Sequence, residues 1–264
     1  MSRNSTFGEL VAEFIGTAII LIFGCGSVAD VVYHPRLAAG AYTWDTIVWG
    51  WGIGVAMAVY VAGGVSGAHL NPAVTLANII RKNISWGKAI AYMIAQTAGG
   101  FAGAALVYGA YYGDFMTEGF KNIFYTSAGQ NISLGTAFFN EVLATVCLVL
   151  FISALVDNAN NNGPVANLWP FMIGLAVVVL GISLGGPSGY AMNPARDLGP
   201  RLFAALFAGD TGGFVGNYWW TAPIIAPFVG GILGALAYDH GISPYLPHRL
   251  NGAPQVDQGI GKGA

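Results

Sequence analysis

Ser66-Gly67-Ala68-His69-Leu70-Asn71-Pro72-Ala73 and Ser188-Gly189-Tyr190-Ala191-Met192-Asn193-Pro194-Ala195 share one pattern, Ser-Gly-x-x-x-Asn-Pro-Ala. Each ends as a helix begins. Asn is a preferred N-cap because its side-chain oxygen takes up an orphan backbone N–H, and Pro suits the first helical position. Both stretches lie in apolar runs too short and too Gly-broken to cross a bilayer whole. A single Asn-Pro reads as an ordinary turn or cap; two copies with identical spacing read as two loops that dive into a membrane and start half-helices there. Irregular backbone at that depth must line a cavity or be buried in protein. Two such half-helices, one per half of the chain, mark a pore or substrate site near the midplane.

Outward from these stretches, the composition agrees. Of 264 residues, 55% are hydrophobic and 8% charged, against about 25% charged in a soluble domain. Apolar stretches of about twenty residues, the length that spans a bilayer core, recur at about 8–32, 44–62, 87–109, 135–156, 166–184 and 219–239. With half-helices at 71–80 and 194–206, they predict an all-α membrane protein of six transmembrane helices and two re-entrant half-helices. The longest loop, about 110–134, carries Phe115, Phe120, Phe124 and Tyr125 and is expected to pack over the outer mouth. The Gly-rich stretch 249–264 reads as a disordered cytoplasmic tail. Glu9 and Glu13 interrupt the first apolar run, so it does not read as a removable signal. Cys25 and Cys147 lie in apolar helices and read as small buried residues outside any disulfide framework. The net charge of −2 does not suggest nucleic-acid binding.

Glu13-Phe14-Ile15-Gly16-Thr17 opens the first span and Glu141-Val142-Leu143-Ala144-Thr145 the fourth. The chain thus reads as one channel domain, 1–264, built from repeats at about 6–115 and 134–245. Three spans per half make the second repeat enter the membrane from the opposite face, which brings the half-helices together head to head. Arg3, Arg81, Lys82, Lys88, Arg249 and Lys262 fall on the side of the termini, and only Arg36 and Lys121 in the opposite loops. Both termini are therefore expected in the cytoplasm. Gly99, Gly100 and Gly103 in the third span and Gly230, Gly231 and Gly234 in the sixth suit close helix contact.

Ser-Gly-Ala-His-Leu-Asn-Pro-Ala and Ser-Gly-Tyr-Ala-Met-Asn-Pro-Ala-Arg-Asp resemble the paired signature of the major intrinsic proteins, the aquaporins and glycerol facilitators, and the resemblance covers nearly the whole chain. It implies a homotetramer in a lipid bilayer, each protomer with its own pore for small neutral solutes. It also implies a selectivity constriction at Trp51, Gly181, Tyr190 and Arg196. Water-selective members typically carry His at the position of Gly181, so Gly here is expected to leave room in the lumen. Trp51 and Tyr190 would carry the carbon backbone of a polyol while Arg196 donates to its hydroxyls from the other side. Glycerol facilitators usually have Phe where this chain has Tyr190. Asp197, Arg201 and Pro223-Ile224 also agree with the glycerol-conducting branch.

Physical chemistry assigns further roles. Asn71 and Asn193, at opposed helix N-termini carrying about half a positive charge each, offer N–H donors to a passing oxygen and repel cations. Pro72, Ala73, Pro194 and Ala195 complete the two turns that hold them. Arg196 lies ~4.5 Å further along its half-helix and is functional by default as a charge at membrane depth; its bland alternative is a salt bridge to Asp197 or a loop carboxylate. Asp197 and Arg201, at i and i+4, can pair across a turn. Glu13 and Glu141 are expected to accept hydrogen bonds from backbone N–H groups of the re-entrant loops, with a proton relay as the sharper alternative. His69 is expected to line the inner pore. No phosphate-binding loop, zinc-protease motif or nucleophile–base pair supports catalysis, and no cofactor is implied. The reading is a passive channel for glycerol and other small uncharged solutes in a bacterial plasma membrane. A mainly water-selective pore is the alternative; an active transporter and a junction protein with a vestigial pore stand behind it.

Overall fold

The structure is a computed structural model that describes residues 5–34, 36, 38 and 40–247. The expected tail at 249–264 lies outside the described residues. The described chain is helical: α1 (Thr6–Tyr33), α2 (Trp44–Ser66), α3 (Pro72–Ile80), α4 (Trp86–Ala110), α5 (Tyr112–Glu118), α6 (Leu134–Val156), α7 (Trp169–Ser188), α8 (Pro194–Phe207), α9 (Tyr218–Trp220) and α10 (Ala226–Gly241). A wide turn at Thr221–Ile225 joins α9 to α10, so that Tyr218–Tyr245 forms one long span. That span and α1, α2, α4, α6 and α7 are long and apolar enough to cross a membrane. Phe23, Ile94, Leu106, Phe139 and Ile182 point outward and are exposed, as suits a surface solvated by lipid tails. Cys25 is fully buried and Cys147 only partly so.

The boundaries that differ from expectation have local causes. Helix α2 runs through Gly63-Gly64 and stops at Gly67, whose φ of 82° breaks the helix. Glycine weakens a helix interior by about 1 kcal/mol; packing in the protein overrides that, while a left-handed residue cannot be overridden. Helix α7 begins at Trp169 rather than 166 because Ala166 and Asn167 are left-handed. It then continues through Pro187 to Ser188 and stops at Gly189, φ 78°. The loop after α4 is not wholly irregular, since it contains α5. Its rings stack instead of splaying: Phe124 lies parallel to Phe115 at 5.8 Å.

The two halves interlock. In addition to packing within its own repeat, α3 packs on α10 and α8 packs on α4. Glycines set those crossings. A Cβ at Gly100 would lie 2.6 Å from the Ala195 carbonyl oxygen, and one at Gly231 2.8 Å from that of Ala73. Only a hydrogen fits where each half-helix leans on the opposite half's third span.

Candidate functional site

Serine, glycine and a buried glutamate build each re-entrant loop the same way. The hydroxyl of Ser66, the last residue of α2, donates to Glu13 Oε1 (2.6 Å), and Ser188, the last of α7, donates to Glu141 Oε1 (2.6 Å). Past the helix ends the chain alternates through the left-handed region, at Gly67, Ala68 and Leu70 and again at Gly189, Tyr190 and Met192. Non-glycine residues rarely adopt that region and persist there only when their surroundings over-determine them. The carboxylates supply that restraint. Glu13 accepts from His69 N (2.9 Å), Leu70 N (2.7 Å) and Gln96 Nε2 (2.7 Å). Glu141 accepts from Ala191 N and Met192 N, both at 2.8 Å. Both glutamates are fully buried, and every bond named holds backbone or a buried side chain in place.

At the tips of the loops the asparagines do more than cap. Asn71 Oδ1 accepts from Ala73 N (2.8 Å), and Asn193 Oδ1 from Ala195 N (3.0 Å) and Arg196 N (3.2 Å). Because each oxygen faces backbone donors, each amide nitrogen is assigned to the other side. Asn71 Nδ2 donates to Met192 O and Asn193 Nδ2 to Leu70 O, both at 2.8 Å. Each half therefore clasps the other's loop across the junction of the helix ends. One N–H of each amide is spent on the clasp, and the second remains, in a residue that lines the cavity.

That cavity, about 430 Å³, runs from Asn78, Asn158 and Trp169 at the end where α1 starts to Trp51, Tyr190 and Arg196 at the other. Helices α1, α2, α6 and α7 contribute apolar side chains to its lining, such as Ile20, Val55, Leu148 and Val177, and residues 67–71 and 190–193 of the loops line it as well. The cavity is mostly apolar in its lining, with polar groups at Asn71, Asn78, Asn158, Asn193 and Arg196. His69 lines it too, its Nδ1 3.2 Å from Thr75 Oγ1. Thr75 spends its own proton on Asn71 O, so the His69 Nδ1 is the donor and Nε2 is left as an acceptor.

At the far end, Arg196 does not pair with Asp197. Its Nη1 donates to Phe124 O at 3.1 Å, and its guanidinium lies over the Trp51 ring, Cζ 3.8 Å from the centroid. The arginine and the tryptophan are thus stacked as one wall rather than facing each other across the lumen. A guanidinium on an indole face is held by attraction to the ring's negative face, which offsets part of its desolvation. Asp197 instead accepts from Arg201 at Oδ1 (2.7 Å), and from Thr126 N and Oγ1 at Oδ2 (both 2.8 Å). Arg201 reaches on to Thr126 O (2.9 Å) and Gly213 O. This buried group ties the α5–α6 loop down beside this end of the cavity.

Gly181 is buried behind this end of the cavity and does not line it. The space beside it is not open lumen, because the phenol end of Tyr190 and the Val48 side chain occupy it. Sequence reasoning also did not single out the Phe124 carbonyl, Thr126, Gln96 and Tyr218. Tyr218 donates to the serine carbonyl that precedes the second loop, Ser188 O at 2.6 Å, while Tyr92 donates to Glu9 Oε2 at 2.8 Å and lies 3.2 Å from the corresponding Ser66 O. The Phe124 carbonyl left no trace, since any residue type supplies a carbonyl.

The sequence profile of the family described as Major intrinsic protein matches residues 1–238. The chain is 40% identical to Aquaporin-9 of Homo sapiens over 248 residues, 89% of this chain and 83% of that protein. It is 39% identical to the Glycerol uptake facilitator protein of Escherichia coli (strain K12) over 268 aligned positions, 94% of this chain and 92% of that protein. Its structure is similar to that of the aquaglyceroporin from Plasmodium falciparum, with a TM-score of 0.83 and 34% identity, covering 92% of this chain and 99% of that one.

Proposed function

The chain belongs to the major intrinsic protein family, and we propose that it is a passive channel for glycerol and other small uncharged solutes, water included. It is a channel and not an enzyme. The observation that carries the reading is the cavity itself: a mostly apolar lining is broken by two asparagine amides, His69 and, beside Trp51 and Tyr190, the Arg196 guanidinium. A polyol matches that lining, its carbon backbone against the apolar side chains and its hydroxyls to the polar groups among them. The relatives named for glycerol agree.

In this reading Asn71-Pro72-Ala73 and Asn193-Pro194-Ala195 form the pore centre. Trp51, Tyr190 and Arg196, with Gly181 behind them, form the selectivity constriction. His69 offers an acceptor on the inner side. Glu13, Glu141 and Asp197 hold the loops in shape and touch no solute. The opposed positive helix ends and the arginine exclude cations, and a water donating both its hydrogens away from the asparagines relays no proton past them. The two interlocked repeats work as a single channel domain. The protein sits in a plasma membrane with both termini cytoplasmic, as its Lys and Arg positions favour, and its apolar outer faces meet lipid and three further copies in a tetramer.

Stopped-flow swelling of proteoliposomes tests the reading. In an osmotic gradient and then a glycerol gradient, glycerol flux well above that of protein-free vesicles is expected. Water flux without glycerol flux would replace the reading by a water-selective pore.

A further inference from the structure

Tyr190 lines the end of the cavity, yet only 5% of it is accessible. The rest of its ring packs into the wall, and that wall has a definite shape. A Cβ placed on Gly181 would stand 2.9 Å from Tyr190 Cζ and 3.0 Å from Cε2; one on Gly185, a turn further along α7, would stand 2.8 Å from Cδ1. The two glycines therefore lie under the two ends of the ring. Trp44 stands edge-on to it, centroids 5.8 Å apart at 73°. The indole is tied to the same helix, because its Nε1 donates to Gly181 O at 3.1 Å, and its Cζ2 would meet a Cβ on Gly185 at 2.5 Å. Among the described residues no hydrogen bond anchors the ring, since Tyr190 Oη is buried and none of them pairs with it. Shape alone keeps it in place, and a close-packed interior transmits even one methyl group of added volume.

We propose that Trp44, Gly181 and Gly185 form a seat for the Tyr190 ring, and that the depth of this seat sets the width of the constriction. The three residues discriminate between solutes through Tyr190, without touching a solute themselves. None of them lines the cavity, so they are positioning residues. A side chain on Gly185 drives the ring toward Trp51 and Arg196 and narrows the opening. A smaller residue at Trp44 lets the ring sink back and widens it. The tyrosine and the two glycines form a matched set: the ring needs the space that the glycines leave.

The inference rests on the glycerol-channel reading, and opposite signs test it. Full-length wild type, Gly185→Ala and Trp44→Leu are reconstituted in proteoliposomes, and flux is normalised to inserted protein. Gly185→Ala is expected to lower the glycerol-to-water permeability ratio by about tenfold, the scale of one methyl group in a fitted site. Trp44→Leu is expected to raise that ratio and to admit a longer polyol such as erythritol. A general loss of packing would move both variants the same way, and that result overturns the seat, as does an unchanged ratio in both. Should Gly185→Ala fail to insert, the graded pair Trp44→Phe and Trp44→Leu serves, with the larger rise expected for Leu and no rise in either overturning the proposal. A wild type that passes water but no glycerol removes the functional reading alone. The seat is then read from water permeability, lower in Gly185→Ala and higher in Trp44→Leu, with any other order counting against it.

Discussion

At the scale of single residues, the two buried glutamates differ in a way that predicts how each tolerates an amide. Glu13 accepts at both oxygens from two donors each: Ser66 Oγ and His69 N at one, Leu70 N and Gln96 Nε2 at the other. In Glu13→Gln, an NH₂ turned to the Oε2 side would meet two N–H donors, and one turned to the Oε1 side would meet His69 N and leave the Ser66 proton only its long contact to Ala62 O at 3.4 Å. Glu141 has Ser188 Oγ and Ala191 N at one oxygen and only Met192 N at the other, so Glu141→Gln can direct its NH₂ against a single donor. Each unmet buried donor costs about 1–3 kcal/mol. Thermal unfolding in detergent should therefore show Glu13→Gln melting lower than Glu141→Gln, with both below wild type. Equal losses would mean that the carboxylate's charge, not the number of acceptors, is what the loops require. Tyr190→Phe should act in the opposite direction. It removes a buried hydroxyl that has no partner among the described residues and should raise stability by about 1 kcal/mol.

At the scale of elements, the half-helices are positioned by contacts between backbones. The Ala195 carbonyl faces Gly100 and the Ala73 carbonyl faces Gly231, so a methyl group at either glycine presses on main chain that cannot change rotamer. Gly100→Ala and Gly231→Ala should each cost about 1–3 kcal/mol, as overpacking does. They should lower water and glycerol flux together, because the asparagine at the tip of the displaced half-helix moves with it. Gly64→Ala is the control: nothing lies within 4 Å of the added carbon, and removing a helical glycine is neutral or mildly favourable. Melting temperature and swelling rate, measured on the three proteins side by side, check the expectation. If Gly64→Ala were as damaging as the other two, the close approach would not be their cause.

At the scale of the whole molecule, the positive ends of two half-helices from opposite halves converge at Asn71 and Asn193, while Arg196 stands a helical turn further out. In the proposed reading, charge exclusion is divided between these two levels. Arg196→Val should remove one full charge and widen the constriction. Neutral solutes should still pass, with less selectivity, and proton or Na⁺ leak should stay small because the helix ends remain. Replacing Arg196 together with both asparagines should leak more than either change alone. Currents in voltage-clamped oocytes or planar bilayers measure this. A large cation conductance from Arg196→Val by itself would move the whole barrier to the arginine.

Much of this was legible from residue order because it depends on local chemistry. The duplicated Ser-Gly-x-x-x-Asn-Pro-Ala encodes two helix starts through the capping power of Asn and the fixed φ of Pro, and apolar length encodes six spans. Their positions within apolar runs put Glu13 and Glu141 at a depth where a carboxylate must find donors. Other features depend on which atoms the fold brings together. The asparagines' clasp on the opposite loop, the Phe124 carbonyl under Arg196 and the stacking of Arg196 on Trp51 join residues far apart in sequence, and the Tyr190 ring reaches the space of Gly181 only because the second loop folds back on α7. Several of these contacts use backbone groups that every residue type possesses, and others use the absence of a side chain. The family resemblance could indicate that Gly181 leaves room, but only the packing of α2, α7 and the second loop decided that the room belongs to a tyrosine.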